Sequence, residues 1–203
     1  GSIGRAAIFS FNGNKTVTAG GGGMIVTDDP ELAQSMRHLS TQARVGPNYE
    51  HDAIGYNYRM TNINAAVGLA QLERLDAMVE ARRSIASTYD DAIANRDDLA
   101  AMPRQNGVDS SCWLYSVRTS SEEDANDLVA TLSERQIEAR VFWHSLSGQK
   151  PYAAAPRMLS GISRQLTGTV VSLPCSSHLT AEEQRRVIAV LAEWQGRSLG
   201  ELG

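Results

Sequence analysis

The chain reads as an α/β protein, and three observations carry that reading. Short apolar runs of strand length alternate with helical patterns, most helical patterns open on a capping residue, and Gly, Pro, Asn and Ser punctuate the joints. With 203 residues, 42% of them hydrophobic and 21% charged, the chain is long enough for one good core, or for a domain with a piece of another.

Residues 6–10 form a short apolar strand and Met24-Ile25-Val26-Thr27 a second. Between them lie the loop Phe11-Asn12-Gly13-Asn14-Lys15 and the glycine run Gly20 to Gly23. Asp28-Asp29-Pro30-Glu31 then opens a helix that runs to about Ser40: an acidic cap, a proline in the first turn and an acid complementing the dipole. Residues 41–60 lack periodicity and hold Gly46-Pro47-Asn48, which predicts an irregular loop.

Thr61-Asn62 caps the next helix. Apolar residues at Ile63, Val67, Ala70, Leu72, Leu75, Val79, Ile85 and Tyr89 follow at helical spacing. They predict one long helix over about 61–95, a strut between domains, with two nearly collinear helices or a helical hairpin as the alternatives. Beyond a polar connector, 103–111, Trp113 to Thr119 is a strand and Ser121-Glu122-Glu123 caps a helix to Arg135. Ala139 to Trp143 and Val170 to Leu173 are further strands, and Thr180 caps a last helix to about Gln195. Strands and helices alternating this way predict a compact unit packed on one sheet.

A net charge of −4 with scattered basic residues argues against nucleic acid or an anionic membrane as partner. The densest basic pair, Arg82-Arg83, reads as the solvated face of a helix. Cys112 and Cys175 lie far apart with no C-x-x-C pair, which fits buried thiols in a reducing compartment. His38, His51, His144 and His178 have no metal-ligand spacing, so no metal is expected. No apolar run approaches the ~20 residues of a membrane span and no leader pattern opens the chain, so the cytoplasm is the expected compartment. A strand-like run within a few residues of Gly1 suggests a start in mid-domain.

The stretch that carries chemistry is Lys15 and its surroundings. A lysine in a tight polar loop just after a strand can be held in one place. Its amine becomes a nucleophile when burial and fixed neighbours lower its proton affinity, or when condensation with an aldehyde removes the charge. Ser10 offers a hydroxyl to an anion in the same crevice, and the glycines let backbone amides approach a ligand. Taken alone, Lys15 reads first as a solvated loop lysine and the glycines as a flexible tether, because lysines in polar loops are common. A nucleotide-binding P-loop is excluded, because its two required glycine positions hold Asn14 and Phe9.

Four blocks decide between these readings. Phe9-Ser10-Phe11-Asn12-Gly13-Asn14-Lys15 with Thr18-Ala19-Gly20-Gly21-Gly22-Gly23-Met24 resembles the cofactor-lysine signature of the DegT/StrS family of sugar aminotransferases. Gly55-Tyr56-Asn57-Tyr58-Arg59-Met60-Thr61-Asn62-Ile63, followed by Ala65 to Leu72, resembles that family's next signature at the expected separation. Weaker matches are Phe142-Trp143-His144-Ser145-Leu146 with Gln149, Pro151 and Tyr152, and Ser172-Leu173-Pro174.

The resemblance implies a fold and a set of roles. Residues 1–75 would be the C-terminal part of a large domain that binds pyridoxal 5'-phosphate on a mainly parallel sheet. Residues 76–203 would be the small C-terminal α/β domain. Lys15 would hold the cofactor as an imine and then act as the acid-base group. Ser10 would hydrogen-bond the cofactor phosphate, with Asn12 a polar neighbour of phosphate or substrate. Asn57, otherwise a turn residue, would reach the phosphate bound by a partner subunit of a homodimer with shared sites. Arg59 would meet an anionic part of a nucleotide sugar or tie its own loop down. Trp143 and His144 would line the sugar site or pack in the core. Ser147 stands where the family commonly has histidine, which bears on the acceptor sugar. The implied reaction moves an amino group from an amino acid, glutamate, to a nucleotide-linked keto sugar. The family's ring-stacking aromatic and the acid at the ring nitrogen lie upstream of the lysine, outside this chain, so a fragment inactive by itself is expected. A non-catalytic domain keeping the family shape is the competing class. A sugar dehydratase of the same family is disfavoured by Lys15, since histidine typically replaces the lysine there.

Overall fold

The structure, a computed structural model, describes residues 2–141 and 143–200, and the chain divides into two compact units, Gly1–Asp76 and Ala77–Gly203. Phe142 lies outside the described residues, so the expected strand through Trp143 is seen only as far as Val141.

In the first unit β1 (Ala7–Ser10) and β2 (Gly23–Val26) form an antiparallel ribbon with Ala7 opposite Val26 and Ser10 opposite Gly23. Every strand pairing among the described residues is antiparallel; the mainly parallel sheet was expected of the large domain of which residues 1–75 would be the tail. The register explains Gly23: a Cβ there would come within 2.6 Å of the Phe9 carbonyl oxygen. The ribbon is sparsely covered, with Ile8 80% and Met24 52% exposed.

Helix α1 spans Pro30–Ser40. Its cap is Asp29, whose carboxylate accepts from the Leu32 N–H at 2.9 Å and pairs with Arg5 at 2.7 Å. The helix-end N–H, and after it Arg5, hold this carboxyl below the usual range.

Residues 41–60 are more ordered than their pattern suggests. They contain a hairpin of β3 (Arg44–Val45) and β4 (Glu50–His51), and Thr41 bridges to Asn57. Two-residue strands are too short to leave a periodic signal.

The expected long helix over 61–95 is two helices, α2 (Asn62–Leu72) and α3 (Leu75–Ile93). At the joint the Glu73 N–H donates to Leu69 O, but the Arg74 N–H bonds Gln71 O at 3.1 Å, a tightened last turn. No proline or glycine marks the break, and Leu72 and Leu75 keep helical spacing across it, so the pattern conceals it.

The second unit is built on a four-stranded sheet ordered β5-β6-β8-β7, from β5 (Ala100–Ala101), β6 (Tyr115–Arg118), β7 (Arg140–Val141) and β8 (Val170–Leu173). β6 and β7 both run antiparallel to β8, which lies between them, and α4 (Glu122–Glu134) connects them: a split βαβ unit. Tyr115, Val117, Val171 and Leu173 point to one face of the sheet. There they join Ile85 and Tyr89 of α3, Leu128 and Leu132 of α4, and Val187, Val190 and Leu191 of α6 (Ala181–Glu193) in one core. α6 opens on a reciprocal capping box, Thr180 with Glu183. The short α5 (Ile162–Leu166) and the two 3-10 turns at 146–148 and 150–152 fall where no periodicity is legible.

One basic pair is not what its charge suggests. Arg82 is buried, donating to Trp113 O at 2.7 Å and Cys175 O at 2.5 Å, whereas Arg83 pairs with Asp109. A helix face that is solvated at one residue and inward at the next is ordinary at 100° per residue. Cys112 and Cys175 are both free and buried, and burial pushes the Cys175 thiol up. No helix among the described residues is long and apolar enough to cross a membrane.

A carboxylate clasp fastens the segment after α6. Asp98, nearly buried, takes two hydrogen bonds from Arg96 at 2.6 and 2.7 Å and one from the Gly196 N–H at 2.8 Å, while Arg96 also donates to Trp194 O. Arg96 above all lowers the Asp98 carboxyl from its ordinary 3.8. A depressed folded-state value means the carboxylate stabilises the fold above the unfolded value, and that this is lost as pH falls through the folded one. Asp98→Asn should therefore lower stability near pH 7 by about 2 kcal/mol and flatten the fall in melting temperature on acidification below about pH 4. Thermal melts of both proteins from pH 3 to 7 check this; parallel curves would contradict it.

Candidate functional site

The lysine loop is set by the ribbon and by α2. Leaving β1, the chain is kept closed by the Phe11 N–H to Gly22 O and the Ala19 N–H to Phe11 O, both 3.0 Å. Asn12 is the hub of the turn. Its carbonyl accepts from the Lys15 N–H at 3.0 Å, its own N–H approaches Ser10 Oγ at 3.5 Å, and its side-chain amide donates to Asn14 Oδ1 at 3.2 Å. Ser10, Asn12 and Lys15 are thus brought together in one turn, with Lys15 half-buried and the other two exposed. The segment 10–23 contains no acidic residue.

Asn64 fastens this loop from the first turn of α2. Its Nδ2 donates to Ala19 O at 2.6 Å, while Thr61 Oγ1 donates to Asn64 Oδ1 at 2.5 Å and accepts the Asn64 N–H at 3.3 Å. Gly22 has φ +86°, and a Cβ there would meet the Met60 methyl at 3.0 Å. The second sequence block therefore holds the first in place. Asn64 was not singled out from the sequence, although its third position after the Thr61 cap is the capping-box position.

Asn57 and Arg59 line a cleft of about 730 Å³ together with Arg37, Ser40, Thr41, Gln42, Arg44 and Gly46. Side chains alternate along 56–59: Tyr56 and Tyr58 stack at 5.0 Å, and Asn57 and Arg59 line the cleft. The loop that frames it is tightly fixed. Tyr56 exchanges backbone bonds with Leu39 O and Gln42 N, His38 Nε2 lies 2.6 Å from Asp52, and His51 Nδ1 lies 2.8 Å from Gln42 O. Gln42 and Ala43 sit at φ +70° and +50°, with Ala43 wholly buried.

In the second unit Trp143 and His144 are side by side on two cavities. One, of about 440 Å³, is mostly apolar and includes Ala101, Met102, Arg118, Ile162 and Leu166; the other, of about 610 Å³, includes Val141, Leu146 and Gln149. Trp143 is 63% exposed, so the core-packing alternative does not hold for it. Ser147, in the position where histidine is common, hydrogen-bonds Ser145 Oγ at 2.7 Å.

The chain is 40% identical over 200 residues to EpsN of Bacillus subtilis (strain 168), covering 94% of this chain and 50% of that protein. It is 37% identical over 196 residues to the GDP-perosamine synthase of Caulobacter vibrioides, covering 94% and 53%. The chain spans about half the length of the curated relatives it matches. Among solved structures, the aminotransferase TlmJ from Streptoalloteichus hindustanus superposes with a TM-score of 0.85 at 27% identity, over 94% of this chain and 52% of that one. A DegT DnrJ EryC1 StrS aminotransferase from Brucella abortus gives 0.82 at 29% identity, over 96% and 52%. The model of the DegT/DnrJ/EryC1/StrS aminotransferase family matches residues 1–192, and the chain belongs to that family.

Proposed function

We propose that this chain is the C-terminal part of a pyridoxal-phosphate-dependent aminotransferase that moves an amino group from glutamate to a nucleotide-linked keto sugar. In this reading residues 1–75 complete the large cofactor domain and residues 76–203 are the small domain. The observation that carries it is the lysine loop: a half-buried lysine within one turn of a serine and an asparagine, in a segment without a carboxylate. That donor set suits a phosphorylated aldehyde, since amine and phosphate each find a partner and no acid repels the anion. Relatives named GDP-perosamine synthase support the nucleotide sugar as acceptor.

Pyridoxal 5'-phosphate would supply the aldehyde that takes up the amino group and a ring that accepts the electron pair left at the donor's α-carbon. The chain's own residues do the rest. Lys15 Nζ would anchor the cofactor and, once released, would carry the proton from the donor's α-carbon to the cofactor's carbonyl carbon, and in the reverse half from there to the acceptor carbon. Ser10 Oγ donates to the phosphate, and Asn12 keeps Ser10 and Lys15 in one turn. Asn57 serves the phosphate in the partner subunit of a homodimer. Arg59, Trp143 and His144 hold the acceptor. A dehydratase is disfavoured because the residue at the anchoring position is Lys15.

The donor is tested on the full-length protein with ¹⁵N-glutamate and a nucleotide-linked keto sugar. The label should appear in the amino sugar and 2-oxoglutarate should accumulate in equal amount, while the 203-residue chain alone should do neither. Transfer from another amino acid but not from glutamate would refute the donor assignment.

A further inference from the structure

Cys112 and Cys175 take no part in the lysine loop and line none of the three cavities, yet the fold brings them together. They are 63 residues apart in sequence, and Cys175 Sγ lies 3.4 Å from Cys112 O in the interior. The register of the sheet accounts for the approach. Pairing of β6 with β8 ends at Tyr115 opposite Leu173, so two residues further along each chain Trp113 faces Cys175, with Cys112 next to it. Arg82 Nη1 holds these extensions together, donating to Trp113 O at 2.7 Å and to Cys175 O at 2.5 Å. Facing residues of antiparallel strands stand about 4.5 to 5.5 Å apart at Cα, inside the limit of about 7 Å for a disulfide. Strand alternation from Tyr115 and Val117 would put Trp113 on the core face and Cys112 off it. Cys112 instead adopts φ +48°, uncommon for any residue but glycine, and is buried in the same core as Cys175.

The neighbouring charge favours sulfur chemistry. Arg82 is buried, and among the described residues it has no ion-pair partner and its Nε no hydrogen-bond partner. Burial, the largest influence, raises the Cys175 thiol, and Arg82, within hydrogen-bonding reach of that sulfur, opposes the shift. The resting pair is thus two thiols beside a guanidinium that favours the thiolate whenever one forms. We propose that Cys112 and Cys175 are a dithiol that a hydroperoxide oxidises to a reversible disulfide across the ends of β6 and β8. Hydrogen peroxide is small enough to reach residues that are 8% and 6% exposed. One thiolate attacks a peroxide oxygen, the O–O bond breaks, and the departing hydroxide takes a proton to become water, leaving a sulfenic acid. The second thiolate attacks that sulfur, the S–O bond breaks, and hydroxide leaves with the second thiol's proton as another water. Two thiols lose two electrons and two protons, and hydrogen peroxide becomes two waters. In a reducing compartment the link is transient, because exchange with small thiols reopens it. None of this rests on the aminotransferase reading.

The full-length protein is treated with hydrogen peroxide, alkylated under denaturing conditions, digested and mapped by mass spectrometry. The peptides carrying Cys112 and Cys175 should be recovered joined, two hydrogens lighter than the two reduced peptides together. Alkylation at both cysteines should fall at least tenfold, and dithiothreitol should restore it. The same treatment in urea, where the fold no longer holds the sulfurs together, should give at least tenfold less of the link. In at least one of the variants Cys112→Ser and Cys175→Ser, dimedone should trap the remaining cysteine as a sulfenic acid. Both cysteines still alkylated after peroxide, either one joined to a different cysteine, equal yields in urea, or no dimedone adduct in either variant would overturn the proposal.

Discussion

Lys15→Ala in the full-length protein should abolish the cofactor's covalent attachment and lower transamination by at least about a thousandfold, the scale on which a positioned acid-base group acts. Borohydride reduction followed by peptide mapping should place the label within the peptide that carries Lys15 in the parent and find none in the variant. The expectation follows from how the loop is made. Lys15 is fixed through its own N–H to Asn12 O, so replacing the side chain leaves the turn's backbone bonds intact. The loss should therefore be chemical, read as loss of the label and of transamination in a variant that still folds. A label recovered at any other lysine would end the assignment.

Gly55→Ala should be as damaging by a different route. A Cβ at residue 55 would lie 2.2 Å from Gln42 C and 2.3 Å from Ala43 N, which are backbone atoms that no rotamer can move aside. That backbone is already in the left-handed region, with Ala43 fully buried, and Tyr56 bonds Leu39 O at 2.7 Å and Gln42 N at 3.0 Å. We expect a cost of about 3 kcal/mol, loss of the near-ultraviolet signal of the Tyr56–Tyr58 stack, and weaker binding at the Asn57 and Arg59 cleft. Gly148→Ala, where the added carbon meets nothing within 4 Å, is the matched control. A Gly55→Ala protein melting with the control would show that the loop relaxes freely.

Much of the fold was legible because its signals are local. Asp29, Thr61, Ser121 and Thr180 cap their helices as their side-chain chemistry dictates, and β8 falls on Val170–Leu173 as expected. The break at Glu73-Arg74 was concealed because a tightened turn without Gly or Pro leaves apolar spacing intact. The antiparallel pairing was concealed because strand direction depends on what lies between strands in space, and β8 enters from 29 residues beyond β7. The site divides along the same line. Ser10, Asn12 and Lys15 are neighbours in sequence and meet in one turn. Arg37 and Arg44 join Asn57 and Arg59 only through folding of residues 41–57, and a scattered arginine carries no motif until the loop closes.

The ribbon beneath Lys15 has a chemical consequence. Two strands with Ile8, Phe9, Met24 and Ile25 largely uncovered are at best marginal as a free-standing hairpin. The amine's aim is then borrowed from whatever shields those side chains. Shielding those side chains would steady the ribbon from which the lysine loop leaves, and so narrow the directions the Lys15 amine can take.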